Sequence, residues 1–150
     1  ARGLFPVRLE ENGLVSAIEE LAASAGNRFK VDCRFACDSP PTTVDNEVAL
    51  HLYYIAQESM LNAVRHGKAS TVNIVLSPEG DRYKMIVQDN GSGFHAATAN
   101  RTGMGIRIMR YRAKVIGANL DLQSEPGHGT RVSCVFNPEP REPLQANGTG

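Results

Sequence analysis

Four short stretches of the chain carry residues whose types and spacing suit chemistry. In Glu58-Ser59-Met60-Leu61-Asn62-Ala63-Val64-Arg65-His66, the polar residues Glu58, Asn62 and His66 recur at every fourth position. On a helix, successive members of such a series are offset by only about 40°, so they form one column beside the apolar stripe. Glu and Asn both offer oxygen donors, which suit a hard cation such as Mg²⁺ held jointly with phosphates. A carboxylate beside that ion can orient or deprotonate an attacking group. An ordinary solvated helix face has the same composition, so the column alone leaves both readings open.

Asp89-Asn90-Gly91-Ser92-Gly93-Phe94 follows the apolar pair Ile86-Val87. A carboxylate at a strand end, partly withdrawn from water, must find donors, and the exocyclic amine of a purine is one that fits. Gly91 and Gly93 let backbone approach a flat ring with no Cβ in the way, although Asp-Asn-Gly is also a common turn. Thr102-Gly103-Met104-Gly105-Ile106 opens a helical stretch, where free N–H groups and the helix dipole favour an anion, with Arg101 and Arg107 adding charge. It lacks GxxxxGK[ST] and the full GxGxxG fingerprint, which disfavours a P-loop or dinucleotide fold. The fourth stretch, Gly127-His128-Gly129-Thr130, lies between two strand patterns; it can be a plain hairpin or can place the Thr130 hydroxyl beside a ligand.

These residues need elements to position them. Residues 13–25 read as an amphipathic helix with Leu14, Ala17, Ile18 and Leu21 on one stripe and Gly26 as its stop. An alternating stretch, 28–36, reads as a strand that turns Cys33 and Cys37 to the same face as Phe29, Val31 and Phe35. Small core residues are the reading favoured for these cysteines, because two further zinc ligands are not evident. After the Pro40-Pro41 loop, a long helix is expected from Asp45, its N-cap, to Arg65, buried through Val48, Leu52, Ile55 and Ala56. Strands 71–76 and 82–89 flank a turn at 77–81, a helix runs from 106 to 116, and 119–124 and 130–136 form a last strand pair. The predicted class is α+β, an α/β sandwich in which helices cover one face of a mixed, mostly antiparallel sheet.

Composition bounds the rest. The chain has 150 residues, with 16 Lys+Arg against 16 Asp+Glu, so it lacks the basic excess of a backbone-tracking nucleic-acid binder. No apolar run approaches the roughly 20 residues of a membrane span, and no signal peptide opens it. Its 3 cysteines are too few for a disulfide scaffold, which points to a reducing cytoplasm. The absence of an initiator Met makes the chain an expected piece of a longer protein.

Together, Glu58-x3-Asn62, Asp89-x-Gly91-x-Gly93, Gly103-x-Gly105 and Gly127-x-Gly129-Thr130 resemble the N box and three glycine boxes of the GHKL ATPases, over roughly residues 13–137. That superfamily comprises gyrase B subunits, heat-shock chaperones, mismatch-repair ATPases and sensor histidine kinases. Asn62-Ala63-Val64-Arg65-His66-Gly67-Lys68-Ala69 is similar to the N box of the nitrate-sensor class of histidine kinases, which partner LuxR-type response regulators. Gly3-Leu4-x-Pro6-Val7-x-Leu9-Glu10-x-x-Gly13-Leu14 resembles the junction leaving that class's dimerisation helices.

The resemblance implies a Bergerat-type ATP-binding fold at 13–137, a linker end at 1–12 and a disordered tail at 138–150. It implies ATP and Mg²⁺ as cofactors. Asn62 would coordinate the Mg²⁺, and Glu58 would act near the γ-phosphate as base or water-orienting carboxylate. Asp89 would accept from the adenine amine with Thr130 in support, and Gly91 and Gly93 would line the adenine pocket. Gly103, Met104 and Gly105 would sit by the phosphates under a closing loop at 94–104, mobile over 95–104 in the empty state, with His66 and Lys68 as basic contacts.

The implied partners are ATP, an upstream dimerisation and phosphoacceptor domain of the same protein, and a response regulator reached through the whole kinase; no nucleic acid is expected. None of His51, His66, His95 and His128 has the setting of the family's phosphoacceptor. The acceptor is therefore expected upstream, in a cytoplasmic portion of a homodimeric parent that can be membrane-anchored, while this piece is a monomer that does not label itself. The alternatives are a serine kinase of the anti-sigma-factor type and a nucleotide-binding module without kinase activity.

Overall fold

The computed structural model describes residues 13–95 and 103–140. The expected linker end at 1–12, most of the expected closing loop including Arg101 and Thr102, and residues 141–150 lie outside them. The elements run α1 (Gly13–Phe29), β1 (Asp32–Ala36), α2 (Asn46–Arg65), β2 (Thr71–Glu79), β3 (Arg82–Asp89), α3 (Met104–Val115), β4 (Asn119–Ser124) and β5 (Thr130–Phe136).

The strands form one five-stranded sheet in the order β1-β2-β3-β5-β4. Only β1 and β2 are parallel; the other pairings are antiparallel. Register places Phe35, Ile74, Val87, Val132 and Leu122 in one row across all five strands, with Leu76, Met85, Cys134 and Leu120 in the next. Period-two alternation therefore gives the sheet one apolar face, and the three helices lie on it. Their buried residues, among them Leu14 and Ile18 of α1, Leu52 and Ile55 of α2 and Met109 of α3, join the same core. The opposite face carries Arg34, Asn73, Gln88, Arg131 and Gln123 in one register row.

The largest differences from the sequence reading fall at three boundaries, each for a local reason. α1 runs through Gly26 and ends at Phe29, because the residue that turns the chain is Lys30, with φ of 56°. A left-handed residue just past the last turn is the usual way out of a helix, and here a lysine supplies it. β1 accordingly starts at Asp32, not at residue 28, and its Cys33, like Cys37 just past its end, is half-buried and packed against the core. β2 continues through Ser77 and Pro78 to Glu79, leaving a tight turn at Gly80 and Asp81. β1 ends opposite Val75, so Pro78 lies where β2 pairs on one side only, and its missing N–H leaves no ladder bond unmade. The body also extends past 137: Pro138 accepts from Asp45 N at 2.8 Å, and Glu139 accepts from Thr43 Oγ1.

Candidate functional site

α2 is the spine of the site. Asp45 starts it by accepting from the backbone N–H groups of Glu47 at 3.0 Å and Val48 at 3.3 Å. Its apolar stripe turns one face inward: Ser59 and Ala63 are buried, and Glu58 and Asn62 stand half-buried beside them. His66, exposed, is the C-cap, and its N–H donates to Asn62 O at 3.0 Å. From Glu58 to His66 the column spans about 12 Å at 1.5 Å per residue. Ser59 Oγ donates to Ile55 O at 2.8 Å and lies 3.3 Å from Met109 Sδ, where α3 packs against α2.

The end of β3 is laid onto the end of α2. Gly67 O accepts from Ser92 N at 2.9 Å, and a Cβ on Gly91 would stand 2.7 Å from that same carbonyl oxygen. Asn90 ties the strand end to the start of β2: its Oδ1 accepts from Ser70 N and Thr71 N, each at 2.9 Å, and its Nδ2 donates to Ser70 Oγ at 2.8 Å. These bonds place Asp89, which is only 9% exposed. Gly91 N donates to Asp89 Oδ1 at 2.7 Å, and the Thr130 N–H also donates to the carboxylate. Burial pushes the Asp89 carboxyl above its ordinary value, and the two N–H donors only partly oppose that. The carboxylate is aimed by backbone and keeps acceptor capacity for a further donor.

The hairpin between β4 and β5 closes the same end. Ser124, buried directly opposite Thr130 in the register, is a hub. Its Oγ donates to Gly129 O at 3.1 Å, accepts from Phe94 N at 2.9 Å and lies 2.7 Å from Thr130 Oγ1. A hydroxyl has one proton. With that proton on Gly129 O, the Thr130 hydroxyl donates to Ser124 and leaves its own lone pairs free. Gly129 has φ of 75°, and a Cβ there would fall on the Asp89 carbonyl oxygen.

α3 begins at the other end of the column. Its N-cap, Gly103, contributes no side-chain bond, and among the described residues no side chain caps the first N–H groups of α3. Gly105 sits against Glu58: a Cβ would overlap the Glu58 carboxylate.

A single cavity of about 510 Å³ joins these parts. Of the residues predicted from sequence, Glu58, Asn62, His66, Asp89, Gly93, Gly103, Met104, Gly105 and Thr130 line it, with Phe94, Ile106, Met109, Leu122 and Val132 as apolar wall. That volume suits a small ligand held by an apolar wall and a few convergent polar groups. Gly91 is buried beside Asp89 without lining the cavity, and Lys68 is exposed, outside the lining, with φ of 51°. A second cavity of about 400 Å³ between α1 and α2 holds none of the predicted residues. Sequence reasoning missed Ser124 and Gly67. A signal for Ser124 existed, since a hydroxyl residue immediately before the Glu125–Gly129 turn must face the residue immediately after it.

Residues 47–140 match the family model described as histidine kinase-, DNA gyrase B-, and HSP90-like ATPase. The chain is 31% identical over 135 residues to the nitrate/nitrite sensor protein NarX of Escherichia coli K12, covering 90% of this chain and 23% of NarX. It is 33% identical over 139 residues to the sensor histidine kinase LiaS of Bacillus subtilis, covering 93% and 38% respectively. The chain thus spans well under half the length of either relative. Among solved structures, the histidine kinase domain of the Erythrobacter litoralis EL346 blue-light activated histidine kinase superposes with a TM-score of 0.71 at 19% identity, covering 94% of this chain and 67% of that one.

Proposed function

Because the chain belongs to the histidine kinase-, DNA gyrase B-, and HSP90-like ATPase family, we propose that its cavity takes ATP with the base on Asp89 and the phosphates along α2 toward Glu58. The domain is the ATP-binding catalytic domain of a sensor histidine kinase. One observation carries the orientation: the cavity that holds the backbone-aimed, buried carboxylate of Asp89 also holds Asn62 and Glu58.

Each residue then has a task. Asp89 accepts from the exocyclic amine, and Thr130 presents lone pairs beside it. The uncapped N–H groups at the start of α3 face the phosphates, where the helix dipole favours negative charge. His66 lies on the same wall and offers a donor to phosphate oxygen. Glu58, kept in place against Gly105, orients or deprotonates the attacking group.

Mg²⁺ suits the donor set. Among the described residues no three His, Cys, Asp or Glu side chains converge to hold a metal alone. Asn62 and Glu58 can supply one or two oxygens to an ion that keeps waters and shares the phosphates, which is how Mg²⁺ is commonly held. When bound, it neutralises phosphate charge.

For the whole protein, the proposed reaction is transfer of the γ-phosphate to a histidine on an upstream dimerisation domain, for relay to a LuxR-type response regulator in the cytoplasm. Titration calorimetry with ATP tests the site. Mg²⁺ is expected to tighten binding to the wild type, and Asn62→Ala is expected to lose that tightening. A Mg²⁺ effect that persists unchanged in the variant overturns the assignment.

A further inference from the structure

The second cavity, of about 400 Å³ between α1 and α2, shares no lining residue with the nucleotide site. Its size is at the lower end of ligand pockets, roughly 300–1,000 Å³. Ala17, Leu21 and Ala25 recur at every fourth position of α1 and, with Met60 of α2, form a buried apolar floor. Alanine at two of these positions leaves space that larger side chains would fill.

The polar groups of this cavity carry both signs and do not pair. Glu20 and Arg28 line it from α1, eight residues apart, about 12 Å along the axis at 1.5 Å per residue. Arg65 lines it from the last turn of α2, as Arg28 does from the last turn of α1. None of these three side chains has a hydrogen-bond or ion-pair partner among the described residues. Tyr53 is only 9% exposed, its ring edge-on to Tyr54 at 5.3 Å, yet no described group bonds its hydroxyl. A buried polar group in that state calls for a partner. Burial first, then Tyr54 and Glu20, push the Tyr53 phenol up, so it keeps its proton and its lone pairs. Because the Glu20 charge acts on that phenol, Glu20 and Tyr53 mark one end of the cavity and the two arginines mark the other.

We infer that this cavity binds a short apolar peptide with free termini, its carboxylate on Arg28 and Arg65 and its ammonium on Glu20 and the Tyr53 hydroxyl. An extended chain advances about 3.3–3.6 Å per residue, so three residues cover about 10–11 Å, close to the separation of the charged ends. A guanidinium fork matches a carboxylate in a bidentate way, and a terminal amine is protonated near neutral pH. An apolar middle side chain then lies on the floor of Ala17, Leu21, Ala25 and Met60. The charges select against simpler ligands. A plain carboxylate leaves Glu20 and Tyr53 unmatched, an amine leaves two guanidiniums unmatched, and an uncharged apolar molecule uses neither end. A loop of a folded protein has no free terminus to offer.

This inference is independent of the nucleotide reading, and its test needs no nucleotide. The probe is the tripeptide Ala-Leu-Ala, titrated by NMR into the isotope-labelled protein up to about 10 mM, which detects even millimolar affinity. Shifts are expected at the amides of 17–29 and 53–65, and none at 89–93 or 103–106. Amidating the carboxylate should weaken binding about tenfold, the size of a charged hydrogen bond. Acetylating the amine should weaken it about threefold, the size of an exposed ion pair. The double variant Arg28→Gln, Arg65→Gln is expected to bind the free and amidated peptides equally. Glu20→Gln, at an exposed position, and Tyr53→Phe, which keeps the ring, are each expected to shrink the effect of acetylation and leave that of amidation. No shift at that concentration, shifts centred on 89–93 and 103–106, or equal binding of the free and doubly blocked peptides overturns the proposal. So do end effects that persist unchanged in the variants, or 3-phenylpropionate binding as tightly as Ala-Leu-Ala.

Discussion

Asp89 is where burial and function pull against each other. Burial raises its pKa, because the ionised form loses water that the two backbone donors only partly replace. Recognition of an amine needs that ionised form, since a protonated carboxyl has a donor of its own to place. The sign follows. As pH falls through the raised pKa, Asp89 takes up a proton earlier than an ordinary carboxyl, and base recognition fades with it. The ratio of ATP affinity to tripolyphosphate affinity is expected to fall on acidification before ordinary carboxylates titrate. Asp89→Asn should flatten that profile and weaken ATP about ten- to hundredfold, the equivalent of a charged hydrogen bond worth about 1.5–3 kcal/mol, with tripolyphosphate unaffected. Equal losses for both ligands would remove Asp89 from the base. Ser124→Ala tests the neighbouring hub: it strips Phe94 N and Thr130 Oγ1 of a partner, for an expected cost of about 1–3 kcal/mol in denaturant unfolding.

At the scale of elements, two glycines separate scaffolding from chemistry. In the β4–β5 hairpin, a Cβ on Gly129 meets a backbone oxygen, that of Asp89, at a positive φ. Neither can yield cheaply, so Gly129→Ala is expected to cost at least about 1–3 kcal/mol of folding stability. At the start of α3, a Cβ on Gly105 meets only the far end of the Glu58 side chain, which can swing away. Gly105→Ala should therefore leave the unfolding midpoint near or above wild type, since Ala favours a helix, while phosphoryl transfer falls as sharply as in Glu58→Ala. A variant with full transfer would show that the position of Glu58 does not matter.

The difference between these glycines was invisible in the sequence, where both were members of a Gly-x-Gly pair. α2 was legible throughout, because its cap, its apolar period and its polar column are all local signals, and the structure keeps Asp45, Leu52, Glu58 and Asn62 in those places. Ser124 was not, because its three partners come from 94, 129 and 130 and meet only when the hairpin closes over the β3 end. Gly26 misled for the opposite reason: a glycine permits a helix end without requiring one, and the buried stripe of α1 continued through Ala25 to carry the helix past it.

At the scale of the whole molecule, Met104 at the start of α3 both lines the cavity and is 69% exposed, so the site opens to solvent there. Phosphoryl transfer depends mainly on positioning and charge neutralisation. A domain that holds ATP correctly therefore still needs its acceptor brought to the γ-phosphate. A covalent link to the acceptor helices can keep it there, since a short flexible tether gives an effective concentration on the order of 1 mM. On this reading, the domain alone with labelled ATP is expected to gain no phosphohistidine at His51, His66, His95 or His128. Mixed with separately produced acceptor helices, it should label them at an initial rate that rises linearly with concentration. Joined to them in one chain, it should label at a rate independent of concentration, about a hundredfold faster when each piece is at about 10 μM. Acid-labile phosphate measured against concentration distinguishes the cases. Equal rates in the joined and mixed proteins would mean that docking alone positions the acceptor, and label on the isolated domain would mean that the acceptor lies within it.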